Sequence, residues 1–397
     1  MSEKKRIQFP SDFFWGTSTS AAQVETASNH NWKGIKSRDG FVFDRTTDHE
    51  KRRKEDIQYI TQFGTVYRCG VDWARLQKAP LAPFDEAVVV EYQAFFQELN
   101  DAGTRVLLVL HHFTNPLWFE NNKEGWLHED NIALFVDYCS RCIAHFGGYV
   151  SNWNTFNEPN VYAFNAYMMG VFPPFRKSYR KANKVLKHMS RAHQIVYDLI
   201  KAAYPDIPVG ISLNTCYFQG LNWAGKIAAR LADWWFNQRT ARLFSQVDYC
   251  GMSYYAYVLF DPKPITEIDN PGKLDALGIR HDKMWGYYPE GFGKIIRRMY
   301  RRYKKPILIT ESGICTDDSA VRIRSIIEYL GVFHGLIEEG IPILGYIHWS
   351  TWDNFEWNLG PTYRFGLVSV DWETMDRHMT DAGRFYAQLT KENALVV

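Results

Sequence analysis

Two glutamates, Glu158 and Glu311, each stand just past a short apolar run. A carboxyl pair can divide acid and base work. One group keeps its proton and gives it to a leaving oxygen, while the other stays ionised and attacks carbon or activates water. Comparable runs lead to further polar groups. Gln23 and Glu25 follow the first, Arg68 lies in the second, and His111 and His112 close the third. Asn157 precedes Glu158 after the fourth, Tyr254 and Tyr255 end the sixth, and Trp349, Asp353, Glu356 and Trp357 follow the eighth. Arg68 and a tyrosine could hold one carboxylate ionised while the other retains its proton. The bare pattern equally allows carboxylates that cap helices or pair with arginine.

The apolar runs lie at 13–17, 65–71, 105–111, 152–156, 209–213, 249–253, 307–310 and 344–348. Amphipathic stretches at 91–102, 132–145, 184–204 and 325–339 separate them, and Gly64, Gly103, Pro208, Pro306 and Pro342 punctuate helix from strand. Strands alternating with helical patterns imply parallel pairing, and eight of them fit an α/β fold closed as a (β/α)8 TIM barrel. The expected organisation is one barrel domain over residues 1–397. An open doubly wound sheet shares this periodicity, but no Gly-rich phosphate loop follows the first strand. In a barrel all C-terminal strand ends open on one face, where active sites are built. Glu158 on strand four would then stand nearly opposite Glu311 on strand seven.

Several motifs in register sharpen this reading. Trp153-Asn154-Thr155-Phe156-Asn157-Glu158-Pro159 resembles the acid/base signature of glycoside hydrolase family 1, and Ile309-Thr310-Glu311-Ser312-Gly313 resembles its nucleophile signature. Phe9-Pro10-Ser11-Asp12-Phe13-Phe14-Trp15-Gly16, followed by Gln23-Val24-Glu25, resembles the family's N-terminal region. Trp349-Ser350-Thr351-Trp352-Asp353-Asn354-Phe355-Glu356-Trp357, then Arg364-Phe365-Gly366-Leu367-Val368, resembles its strand-eight region. The likeness runs in the same order from residue 9 to about residue 390.

The resemblance implies a retaining β-glycosidase, β-glucosidase-like and exo-acting, that works by double displacement with Glu311 as nucleophile and Glu158 as acid/base. It implies that Arg68 and Tyr255 contact the nucleophile and that Asn157 bonds the sugar 2-hydroxyl. Gln23, His112, Glu356 and Trp357 match the hydroxyl-binding set, Trp349 the stacking floor, and Trp285 an aglycone-side tryptophan. No metal or cofactor is implied, and the substrate is a small β-glycoside or oligosaccharide. Gluco, galacto, fuco and manno configurations stay open.

This sequence also departs from the family pattern. Phe113 stands where the family commonly has Trp, Ser312 replaces the usual Asn after the nucleophile, and Ser253 replaces the usual Asn before Tyr254. The chain is short for the family, and the missing length falls at 26–50, 256–285 and 312–322. Three rival functions stay in view. A phospho-β-glycosidase would carry serine at the Glu356 position, followed by Lys and Tyr. A non-catalytic sugar-binding barrel would have lost a carboxylate. Transglycosylation would use the same residues on another acceptor.

Composition closes off other classes. Net charge is only +2, from 46 basic and 44 acidic residues, which gives no sign of a nucleic-acid partner. The basic run at 297–305 reads as a solvated helix end. Aromatic content of 16% suits sugar faces but equally a large core. Cys139 and Cys142 form a C-x-x-C pair inside a helical pattern, with no second pair at zinc spacing, so the six cysteines read as buried thiols. No stretch approaches the ~18–20 apolar residues that span a bilayer, and no signal peptide precedes Pro10. The expectation is a cytoplasmic enzyme with no membrane partner; no oligomeric state is assigned.

Overall fold

The computed structural model describes residues 6–122 and 124–396. The eight apolar runs become β1 (Phe14–Ser18), β2 (Val66–Gly70), β3 (Arg105–His111), β4 (Val150–Asn157), β5 (Val209–Gly220), β6 (Tyr249–Asp261), β7 (Ile307–Ser312) and β8 (Ile343–Trp349). They pair in parallel in the order β5-β4-β3-β2-β1-β8-β7-β6, and β5 also pairs with β6 to close the cylinder. One principal helix follows each strand: α1 (His49–Ile60), α2 (Glu86–Asp101), α3 (Asn131–Phe146), α4 (Tyr179–Ala203), α5 (Trp223–Asp233), α6 (Pro289–Tyr303), α7 (Ser319–Glu338) and α8 (Asp381–Glu392). The molecule is a (β/α)8 barrel.

Strand alternation sorts the apolar side chains into two groups. Val66, Leu107, Val109, Tyr249, Leu308 and Ile347 fill the barrel interior. Tyr67, Leu108, Ile211, Met252 and Ile309 point outward into the larger core under the helices. Glycine permits the tightest contacts between strands: a Cβ on Gly16 would lie 2.0 Å from the carbonyl oxygen of Val66.

The chain ends meet at the barrel base. Arg6–Gln8 pairs antiparallel with Ala394–Val396, and the Trp15 indole donates to Asn393 Oδ1 at 2.7 Å.

Several elements differ in extent from the sequence reading. Helices α2 and α7 begin earlier than 91 and 325, because Val88 and Val89 are buried on α2 and Asp318 caps α7 through Ala320 and Val321. Strands β5 and β6 run well past 213 and 253. Beyond a register shift they pair with each other from Cys216↔Ala256 to Gly220↔Phe260, and Lys263–Ile265 adds an antiparallel strand. The six cysteines are buried and unpaired, with Cys139 and Cys142 on the core face of α3. In the basic run, Arg297 pairs with Glu339, and Arg298 pairs with Asp233 at 2.6 Å.

Candidate active site

Arg68 is the hub. It projects inward from β2 with no solvent exposure, so its charge needs partners. Nη1 donates to Glu311 Oε1 and, at 3.0 Å, to Ser18 Oγ; Nη2 donates to Asn157 Oδ1 at 2.6 Å and to Ser212 Oγ at 3.0 Å. One guanidinium thus ties β1, β2, β4, β5 and β7 together at the open end of the barrel.

Local irregularities deliver Asn157, Glu311 and Glu158. On β4, Asn154 faces inward and reaches Ser212, so Asn157 would face outward under strict alternation. A register shift between Asn154 and Asn157 resets the alternation and turns Asn157 toward Arg68. On β7, a shift opposite Met252 and Ser253 does the same for Glu311, the neighbour of inward Thr310. Glu158 then leaves β4 in the left-handed region at φ 42° and is followed by Pro159 in the first turn of a short helix. Trp357 (φ 44°) and Phe113 (φ 65°) share that sparsely populated conformation. Such strain costs on the order of 1–3 kcal/mol per residue and collects where function fixes geometry.

The two carboxyls have different surroundings. Glu311 accepts from Arg68 and, through Oε2, from the Tyr255 hydroxyl at 3.0 Å. Among the described residues Glu158 accepts one hydrogen bond of normal geometry, from the Asn214 amide at 2.8 Å on Oε1. Both are nearly inaccessible to solvent. Burial, followed by the charge of Glu311, pushes Glu158 up to about 8. Burial raises Glu311 too, but Arg68 and the Tyr255 hydroxyl work against it. These surroundings favour the proton on Glu158 over Glu311.

The neighbouring residues form a polar floor and an aromatic wall. With Asn157 Oδ1 fixed by Arg68, its Nδ2 lies 2.9 Å from His112 Nε2. Burial and then Arg68 hold His112 well below the usual histidine range, so the ring is neutral and accepts this bond. Its Nδ1 has no partner among the described residues. Gln23 Nε2 donates to Asn354 Oδ1 at 2.8 Å and lies 3.4 Å from Glu356 Oε2. Burial, then the charge of Glu311, raises Glu356 to about 8. His112 lies between Trp349 and Trp357, at 5.8 Å from each. Trp285 is half-buried against the cluster that contains Trp349, Cys315 and Phe365, with Tyr255 on the same cluster.

The eleven residues singled out from the sequence are linked to one another by hydrogen bonds, neighbouring charge and ring contacts. Four other strand-end groups serve the scaffold. Glu25 pairs with Arg75 and accepts from Tyr92, His111 bonds Asn115, Tyr254 stacks on Phe292, and Asp353 accepts from the Gly366 amide. Three residues absent from the sequence reading belong to the site, Asn214 on Glu158 and Ser18 and Ser212 on Arg68. A polar residue directly after the fifth apolar run was the available signal for Asn214. Ser253 also favours the charged form of Glu158, although its hydroxyl makes no hydrogen bond of normal geometry.

Known proteins share this architecture. The family model for glycosyl hydrolase family 1 matches residues 5–224 and 227–395. Beta-glucosidase A of Acetivibrio thermocellus is 27% identical across 98% of this chain and 99% of its own. That of Thermotoga maritima is 26% identical with the same coverage. Among solved structures, a beta-glycosidase from Pyrococcus horikoshii superposes with a TM-score of 0.88 at 28% identity, covering 98% of this chain and 96% of that one. The Thermotoga maritima beta-glucosidase in complex with azafagomine gives 0.89 at 25% identity, covering 98% and 99%. The alignment to the Acetivibrio enzyme spans 445 residues against 397 here, so that relative carries insertions this chain lacks. A family match over almost every residue, on a barrel holding a buried carboxyl pair, establishes that the chain belongs to glycosyl hydrolase family 1 and is a retaining glycoside hydrolase.

Proposed function

We propose that Glu311 is the nucleophile and Glu158 the acid/base of a β-glucosidase-like enzyme. The asymmetry of the two carboxyls carries this reading: an arginine and a tyrosine serve Glu311, while a single neutral amide serves Glu158. Glu311 attacks the anomeric carbon as the bond to the leaving oxygen breaks, and Glu158 passes its proton to that oxygen. In the second step Glu158, now anionic, takes a proton from water, which displaces Glu311 and restores the starting configuration. Arg68 holds Glu311 ionised before attack. Asn157, oriented by Arg68 and His112, presents its amide to the 2-hydroxyl, where a bond that strengthens in the transition state lowers the barrier.

Gln23, the free His112 Nδ1 and Glu356 serve as the hydroxyl-binding set, and Trp349 as the stacking face. Hydroxyl donors from a sugar favour the anion of Glu356, and a sugar phosphate would meet that anion instead. The beta-glucosidase relatives support glucose as the glycone. Six unpaired thiols fit a cytoplasmic setting. A panel of aryl β-glycosides and their 6-phosphates tests the substrate reading. Unphosphorylated glycosides should show the higher kcat/KM, with the glucoside leading. Preference for the 6-phosphates would make this a phospho-glycosidase, and silence across the panel a sugar-binding barrel.

A further inference from the structure

Helix α5 and the residue that follows it, Trp234, carry an apolar stripe that none of the described residues covers. Trp223 is 77% exposed, Ile227 51%, Leu231 64% and Trp234 43%. Spacings of four, four and three residues put all of them on one helical face. The opposite face is packed, with Gly225 and Ala229 buried; a Cβ on Gly225 would stand 2.1 Å from the Phe260 carbonyl oxygen. The helix is therefore fixed to the β5–β6 extension with its apolar side outward. Single exposed apolar residues are ordinary, but a contiguous row bracketed by two tryptophans is not. Tyr179, 51% exposed, extends the surface toward α4, since its ring lies 6.3 Å from Trp235 and the Trp235 indole donates to Asn183 at 3.0 Å.

Cations flank this stripe. Lys226 and Arg230 lie on α5, and Arg180, Lys184 and Lys187 surround Asn183 on α4; all five are exposed. Among the described residues none of the five forms an ion pair. The acidic groups nearby are engaged elsewhere: Asp233 with Arg298, Glu124 with Arg176 and Lys181, Glu129 with Arg191, and Asp261 with Asn222.

We propose that this face docks on an anionic lipid bilayer. Tryptophans at the ends of the stripe suit the headgroup boundary, aliphatic side chains between them enter the acyl region, and flanking lysines and arginines meet lipid phosphates. A second copy of the chain fits less well, because an isologous contact along the stripe would oppose Lys226 and Arg230 to their own counterparts. Among the described residues no helix is long and apolar enough to cross a membrane, but surface docking requires none. The expectation of no membrane partner rested on spanning length alone and does not reach this mode of contact. The stripe begins on the mouth side of the barrel, since α5 leaves the C-terminal end of β5.

Co-sedimentation with vesicles tests this, using phosphatidylcholine alone and phosphatidylcholine mixed with phosphatidylglycerol. The full chain should bind the mixed vesicles at least roughly tenfold more tightly, given the pull each basic residue feels near an anionic surface. Combined Trp223→Ser, Ile227→Ser, Leu231→Ser and Trp234→Ser should abolish binding and leave glycoside hydrolysis in solution unchanged. Lys226→Glu with Arg230→Glu, which leaves the stripe intact, should weaken binding to mixed vesicles alone. No binding to mixed vesicles, or binding that survives both variants, overturns the proposal. So does a wild-type dimer that the serine variant turns into a monomer while vesicles are ignored; the stripe would then be a contact between copies.

Discussion

Ionising Glu158 inside the barrel is costly, and that cost shapes both activity and stability. Its carboxyl moves from an ordinary 4.5 to about 8 through burial and the charge of Glu311. Activity needs the proton on Glu158, so kcat/KM should fall as pH rises through about 8. Glu158→Gln cannot donate. On alkyl glycosides it should lose roughly 10²–10⁴-fold, while dinitrophenyl glycosides, which leave unaided, should still glycosylate the enzyme with a flattened alkaline limb. Equal losses on both substrates, with the limb unchanged, would place the general acid elsewhere. Stability follows from the same shift. Between 4.5 and about 8 the native state holds a proton that the unfolded chain has released, so stability declines as pH rises and levels off above that window. Glutamine has no such term. The Tm of Glu158→Gln minus that of the wild type should grow across the window, and a flat difference would mean that Glu158 titrates normally. The two carboxyls were read from motifs, and Arg68 and Tyr255 from their places in the second and sixth apolar runs and the family resemblance. Asn214 was not, because the apolar run of the fifth strand stops at Leu213 and nothing in a linear pattern reveals which carboxyl that amide serves.

At the scale of elements, the alternation of apolar runs and amphipathic stretches carried all eight barrel strands. Their ends were less legible. Irregularities in pairing on β4 and β7 turn Asn157 and Glu311 inward, and such a register shift leaves no mark in composition. The prolongation of β5 and β6 was hidden for a related reason: its residues gain partners from each other and from the antiparallel strand Lys263–Ile265, beyond the closed cylinder. A buried ionic clamp also escaped the sequence reading. Arg377, beside the C-terminal helix, bonds Asp56 of α1 at 2.9 and 3.1 Å and the Thr47 carbonyl oxygen at 2.7 Å, while Asp56 also lies 2.7 Å from His49 Nδ1. Both ions are fully buried, so removing one strands the other. Asp56→Ala should cost about 3–5 kcal/mol in denaturant unfolding, without changing KM in the folded fraction. A loss below about 1 kcal/mol, the range of surface pairs, would show that water reaches the clamp.

For the whole molecule, the barrel converts distance in sequence into proximity. Arg68, Asn157 and Glu311 come from three strands and meet in one hydrogen-bonded set, which no shorter segment of the chain could assemble. Much of the aromatic content noted in the sequence lies in the helix-facing core, and Trp349 and Trp357 also flank His112 at the site. The central claim is that Glu311 bonds covalently to the sugar. A dinitrophenyl 2-deoxy-2-fluoro-β-glucoside tests it most directly. The fluorine slows both steps by disfavouring positive charge at the anomeric carbon, and the good leaving group restores only the first, so the intermediate accumulates. Proteolysis and mass spectrometry of the inactivated enzyme should find the fluoroglucosyl group on Glu311, with the label lost in Glu311→Gln. Label on Glu158, or turnover with inverted configuration and no adduct, would contradict the account.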